Sequence, residues 1–137
     1  MIEGSGVAAD VAVYLLDTNV LIHVLRGMKG RSEFLSNLLE AGHVLASCPI
    51  TIAEVYAGMQ LKEEPSTRRL VESLQFLPLK ADIAAAAGLL KRDWHKKGRT
   101  LTIADTILAA TAIAYGCTLV TENAKDFPMS NLLLLAL

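Results

Sequence analysis

The spacing of apolar positions changes repeatedly along the chain, and each change marks an element. Residues 11–16 form a short apolar run with β-branched and aromatic members that stops at Asp17, the pattern of a buried strand. In residues 19–26, Val20, Leu21, Val24 and Leu25 take a helical spacing that Gly27 closes. Residues 30–41 predict a second amphipathic helix, with Phe34, Leu35, Leu38 and Leu39 on one face and Gly42 as its stop. A strand at 44–47 precedes a helix at 51–60, where Ile52, Val55, Tyr56 and Met59 fall at i, i+3, i+4 and i+7. Pro65 opens the next helix, striped by Leu70, Val71 and Leu74. Residues 76–79 give a brief strand broken by Pro78, and 82–97 a long Ala-rich helix with a basic end, closed by Gly98. Residues 103–115 give an apolar helix ended by Gly116, and 117–121 and 132–137 the last two strands. Short buried strands alternating with helices predict one α/β domain over residues 11–137, around a mostly parallel sheet. Residues 1–10, small in composition, read as a flexible leader.

Composition narrows the function classes. The chain has 137 residues, of which 53% are hydrophobic and 20% charged, which excludes a disordered or polyelectrolyte chain. Thirteen Lys+Arg stand against 14 Asp+Glu, so any phosphate-binding surface is a local patch rather than a bulk charge. No apolar run approaches the roughly 18–20 residues of a membrane span, and the N-terminus lacks the basic region of a signal peptide. Cys48 and Cys117 sit in apolar surroundings without zinc spacing, as buried thiols of a reducing compartment do. The expected location is the cytoplasm. Residues 4–9 spell GxGxxA but precede the first strand instead of following it, residues 27–32 lack phosphate-loop spacing, and there is no GxSxG elbow.

The candidate chemistry lies in the acids. Asp17 follows the first strand, and the strand at 117–121 delivers Glu122, Asn123 and Asp126 to the same kind of edge, where open α/β sheets build their sites. Glu54 and Asp105 fall in the first turns of the helices predicted at 51–60 and 103–115. Each acid also has a structural reading. Thr51–Glu54 fits the S/T-x-x-E capping box, Thr102–Asp105 is its shorter relative, and Asp17 can cap the helix after it. Together they strain that reading. Two carboxylates about 4 Å apart repel by roughly 4 kcal/mol at an effective dielectric of 20, which caps do not offset and a hard divalent cation does.

Four segments carry a family resemblance: Leu16-Asp17-Thr18-Asn19-Val20-Leu21-Ile22, Ile52-Ala53-Glu54-Val55, Ile103-Ala104-Asp105-Thr106-Ile107-Leu108-Ala109-Ala110-Thr111-Ala112, and Thr121-Glu122-Asn123-Ala124-Lys125-Asp126-Phe127. In order and spacing they resemble the four motifs of PIN-domain ribonucleases, and more narrowly the VapC toxins of toxin–antitoxin pairs. The resemblance implies a three-layer α/β/α fold and an endoribonuclease dependent on Mg²⁺ or Mn²⁺. It also implies an RNA substrate, a VapB-type antitoxin partner, a second copy of the chain and no membrane. By position, Asp17 and Asp105 match the metal-binding carboxylates and Glu54 the second acid. Asn123 stands at the fourth position, where the family has Asp or Asn. An amide there offers a neutral oxygen, and Asp126 is placed to add the missing charge or to cap its loop. Thr18, Asn19 and Thr121 are candidates for steadying the carboxylates or water, beside plain structural roles.

The densest basic stretch, residues 91–99, precedes the Asp105 motif. It reads either as a solvated helix end or as a rim for RNA phosphates, with Arg92, Lys96, Lys97 and Arg99 as contacts and Trp94 or His95 stacking on a base. Arg26, Lys29, Arg31, Arg68 and Arg69 extend that rim in the second reading. His23, His43 and His95 lack ligand spacing. A mean hydropathy of +0.41 suggests apolar surface for a partner, with Met59 and Leu61 as contributors. The alternatives within the fold are a housekeeping PIN nuclease of RNA processing and a binding module that has lost catalysis. A phospho-acceptor receiver is disfavoured, because Asp17 is followed by Thr18 and no Asp closes the strand at 44–47.

Overall fold

The computed structural model describes residues 11–137, so the leader expected at 1–10 lies outside the described residues. Its elements run β1 (Val13–Leu16), α1 (Thr18–Leu25), α2 (Arg31–Glu40), β2 (Val44–Ser47), α3 (Pro49–Gly58) and, after a 3₁₀ turn at Leu61–Glu63, α4 (Glu64–Ser73). There follow β3 (Gln75–Phe76), α5 (Ala81–Lys96), α6 (Ile103–Tyr115), β4 (Thr118–Thr121), a 3₁₀ turn at Ala124–Asp126, and β5 (Leu133–Ala136). All five strands are parallel, in the order β3-β2-β1-β4-β5.

That order is built outward from β1. The chain first winds to β2 and β3, then returns to add β4 and β5 on the other side. The winding changes direction between β1 and β4, and open parallel sheets form their ligand crevice at such a point, beyond the carboxyl ends of the strands.

The period-2 alternation of strand side chains divides the core into two layers. Leu16, Leu45 and Val120 face one side, where they pack with Val20, Leu21, Leu35 and Val55 from α1–α3 and with Leu74 between α4 and β3. Leu15, Ala46 and Leu119 face the other, against Leu108, Ala109 and Ala112 of α6, with Leu90 and Trp94 of α5 at the margin. The register pairs Leu15 with Leu119 and Leu16 with Val120, so each layer is continuous across the seam. Helix α6 ends as predicted at Gly116, whose φ of 66° is the left-handed cap a side chain resists.

The differences from the predicted elements lie at their ends and have local causes. Helix α3 begins at Pro49, two residues before the predicted start. Pro at the first helical position gives up no needed N–H, and Cys48 becomes the N-cap. The predicted strand 76–79 shrinks to Gln75–Phe76, because Pro78 has no N–H to give a ladder.

Leu119 is fully buried in β4. Leu119→Ala is expected to cost about 2–5 kcal/mol through lost burial and a residual cavity. Urea unfolding would show a lower midpoint at unchanged slope.

Candidate functional site

At the carboxyl end of the β1/β4 seam, Asp17, Thr18, Asn19, Glu54, Asp105, Asn123 and Asp126 line one crevice of about 210 Å³. Four chain segments therefore meet where the sequence expects them. Among the described residues, no Lys, Arg or His belongs to this lining.

Asp17 comes directly after β1 and caps α1. Its Oδ1 accepts from the Thr18 N–H at 2.7 Å, and its Oδ2 accepts from the Thr121 hydroxyl at 2.7 Å. The capping role and the crevice role therefore coexist in one carboxylate. Extending the β1/β4 register by one step sets position 17 beside position 121, and the Asp17 N–H donates to the Val120 carbonyl at 3.0 Å. Thr121 also accepts from the Asn123 N–H at 3.0 Å, so one buried hydroxyl joins Asp17 to the turn that carries Asn123.

Asp105 occupies the third position of α6, where its N–H donates to the Thr102 hydroxyl. This is the donor half of the expected cap. Glu54 is different, and the capping reading fails for it. Because α3 starts at Pro49, Thr51 itself reaches back to Cys48, and Glu54 lies in the second turn instead of the first. Its Oε1 accepts from the Thr18 hydroxyl at 2.6 Å, a contact with no part in starting a helix.

The carboxyls influence one another. Burial pushes Asp17 above the ordinary value of 3.8. Hydrogen bonds from Thr121 and the Thr18 N–H pull it down, and the charges of Glu54 and Asp126 push it further up. Burial raises Asp105 as well, opposed by its hydrogen bond with Thr102 and reinforced by the charges of Asp126, Asp17 and Glu54.

Among the described residues, no three His, Cys, Asp or Glu side chains close into a ready-made ligand shell. The acids stand around a crevice with room for several waters. That spacing suits a hydrated hard cation, since Mg²⁺ usually takes one or two carboxylates directly and keeps its waters. Oxygen donors without sulfur or imidazole point the same way.

Glu122 does not join the crevice, contrary to expectation. Position 122 follows Val120 onto the α1–α2 side of the sheet. There Glu122 Oε2 accepts from His23 Nδ1 at 2.6 Å and Arg31 Nε at 2.9 Å, and Oε1 from Lys29 Nζ at 3.4 Å. Burial pushes its carboxyl up, but the hydrogen bonds and charges of His23 and Arg31 outweigh that and hold it below its ordinary range. Four of the five cations that extend the basic rim in the RNA reading have acidic partners. Lys29 and Arg31 are paired with Glu122, Arg26 with Glu63, and Arg68 with Glu64. The alternation of β4 was the available signal for Glu122.

The basic end of α5 divides in its behaviour. Arg99 donates to the carbonyl of Lys125, in the 3₁₀ turn that carries Asp126, and so stands at the crevice rim. Lys97 lies over the Trp94 ring, 4.5 Å from its centre. Trp94 packs at the margin of the core, which favours its structural reading over base stacking. Arg92 and His95 line a separate groove with Lys91 and Thr100, and Lys96 is exposed.

A doubly wound parallel sheet with an acid-lined crevice at its switch point defines a class of α/β proteins suited to cation-assisted chemistry on phosphates. Comparison with known proteins resolves the class further. A family model described as PIN domain matches residues 14–128. Ribonuclease VapC10 of Mycobacterium tuberculosis is 32% identical over 115 residues, 84% of this chain and 86% of that protein. The structure of VapBC2 from Rickettsia felis bound to a promoter DNA fragment superposes with a TM-score of 0.79 at 26% identity, covering 91% of this chain and 98% of that one. A toxin–antitoxin complex from Klebsiella pneumoniae gives 0.73 at 28% identity, covering 90% and 96%. The chain belongs to the PIN-domain family and, within it, to the VapC ribonucleases.

The raised carboxyls make a pH prediction for protein held in EDTA. A carboxyl with a raised folded pKa favours the fold in its neutral form. That contribution is complete below the ordinary value of 3.8 and is lost as pH rises through the folded value. Asp17→Asn is neutral throughout. It is expected to melt near the wild type in acid and above it at neutral pH, as thermal unfolding across that range would show.

Proposed function

We propose that this protein is a VapC-type toxin, an endoribonuclease that uses Mg²⁺ or Mn²⁺ and cleaves RNA by attack of water on phosphorus. The observation that carries the reading is the sharing of one crevice by Asp17, Glu54, Asp105 and Asp126 without a cationic side chain in its lining. Asp17 and Asp105 are the residues we assign to hold the cation, with Asn123 adding a neutral oxygen and Asp126 a further charge. When bound, the cation supplies the Lewis acidity that activates water and offsets charge on the leaving oxygen.

The chain's own groups do the rest. Thr121 and the Thr18 N–H hold the Asp17 carboxylate in one orientation, which removes the entropy of ordering it at the moment of reaction. Thr18 orients Glu54, the carboxylate we assign to take a proton from the attacking water. Asn19 opens onto the same crevice and is available to a substrate phosphate or water. Arg99 at the rim, with Arg92, Lys96 and Lys97 further along α5, is assigned to the RNA backbone.

The partner assignment rests on the VapBC complexes that the fold resembles and on apolar surface. A groove of about 620 Å³ runs between α1, α2, β2 and α4, lined by Val24, Leu35, Leu39, Leu45, Leu70 and Leu74 among others. Leu61 is 88% exposed. We assign these faces to a VapB-type antitoxin and a second copy of the chain. Among the described residues, no helix is long and apolar enough to cross a membrane.

RNA cleavage assayed with Mg²⁺ or Mn²⁺ tests the reading. EDTA is expected to abolish activity, and Asp17→Ala or Asp105→Ala to lower kcat by about 100-fold or more, the scale of losing transition-state charge stabilisation. Activity that survives both substitutions would overturn the site. Inactivity of the wild type on varied RNAs would favour a binding module.

Arg99→Ala is expected to raise KM for RNA and flatten its dependence on salt, because a phosphate contact releases counterions. Cleavage rates measured over a series of ionic strengths check this.

A further inference from the structure

We propose that Glu122 is a positioning residue, clamped by His23, Lys29 and Arg31 so that its two neighbours are presented to the crevice. The inference rests on the reading of that crevice as a metal-dependent nuclease site. Thr121, on one side of Glu122, donates to Asp17 and accepts from the Asn123 N–H. Asn123, on the other side, lines the crevice. Glu122 lies between the end of β4 and the next 3₁₀ turn, while on either side the Thr121 carbonyl accepts from the Leu137 N–H and the Asn123 carbonyl from the Asp126 N–H. The ion cluster adds a side-chain restraint on the one residue between them.

The clamp is built by His23 near the end of α1, Arg31 at the start of α2 and Lys29 in the loop between them. Lys29 holds a left-handed φ of 57°, unfavourable for a residue with a Cβ, between Gly27 at 64° and Gly30 at 66°. The Arg31 guanidinium also donates to the Lys29 carbonyl at 3.3 Å, tying the loop to itself as it closes on Glu122. Glu122 and Arg31 side chains are only 10% and 15% exposed. At that depth the pair is not a solvated surface contact of negligible worth, and removing one partner strands the other. Groups that orient metal-binding residues from behind typically change metal affinity or activity by 10–100-fold when lost.

The test measures Mn²⁺ binding to the RNA-free full chain by electron paramagnetic resonance, together with kcat and KM for RNA. Glu122→Ala is expected to weaken Mn²⁺ binding about 10-fold and lower kcat with KM unchanged. Glu122→Gln, which keeps the shape and an acceptor, should recover part of both. Where Glu122→Ala does not fold by circular dichroism, Arg31→Ala carries the same expectation. A purely structural role would lower the melting temperature and leave metal binding by the folded protein untouched. That result, or wild-type binding and kcat in the folded variants, overturns the proposal. Asp17→Ala separates the two readings. If it loses Mn²⁺ while Glu122→Ala keeps it, only the clamp fails; if wild type and Asp17→Ala bind alike, the metal site itself fails and the clamp with it.

Discussion

The hydrogen bond from Thr121 to Asp17 crosses the seam at which the sheet changes its winding direction, and it depends on the register of the two central strands. With Leu15 beside Leu119 and Leu16 beside Val120, the next step sets a carboxylate beside a hydroxyl on the α6 side of the sheet. A slip of one residue would send Thr121 to the other face. It would also bury the wrong residues in both apolar layers, so the packing that stabilises the fold enforces the register that assembles the site. Core and crevice are two consequences of one alignment.

This coupling explains why so much was legible in the sequence. Alternation in the strands and 3.6-residue spacing in the helices marked all five strands and six helices to within a few residues, and Gly116 marked the end of α6. The acids were legible as a group because each stands just past a strand or near the start of a helix, positions that a parallel sheet gathers at one edge. The roles of individual acids were harder to read. Glu54 resembled a capping residue because Thr51 stands three positions before it. Pro49 starts the helix earlier and leaves Glu54 free to meet Thr18, a contact 36 residues distant in sequence. Glu122 resembled a crevice residue because it lies between two of them, although the parity of β4 sends it to the opposite side. Its partners come from residues 23–31, and no local pattern announces a contact across about 90 positions.

The placement of charge follows a consistent division. Lys29 and Arg31, together with His23, are all engaged by Glu122, and Arg26 by Glu63. The crevice thus keeps its acids without internal neutralisation. An Arg or Lys inside it would pair with Asp17 or Asp105, offset the burial and the neighbouring charges that now raise both carboxyls, and compete with an incoming cation. Burying ionised carboxyls together without a cationic partner lowers the stability of the fold, a cost common to functional sites.

Asn123 fits the same logic. Its amide brings an oxygen to a crevice that already holds four carboxylates, without adding a fifth charge to the repulsion. Asp126 carries its charge on the 3₁₀ turn that also lines the crevice, where Arg99 is bonded to the adjacent Lys125 carbonyl. A cation of charge two is better matched to a few ionised oxygens supported by neutral ones than to a fully anionic ring. The excess charge of such a ring would have to be met by protonation or by further ions, and either would couple the site more tightly to pH and salt. On this argument the amide tunes the charge of the site while leaving its oxygen-donor character intact.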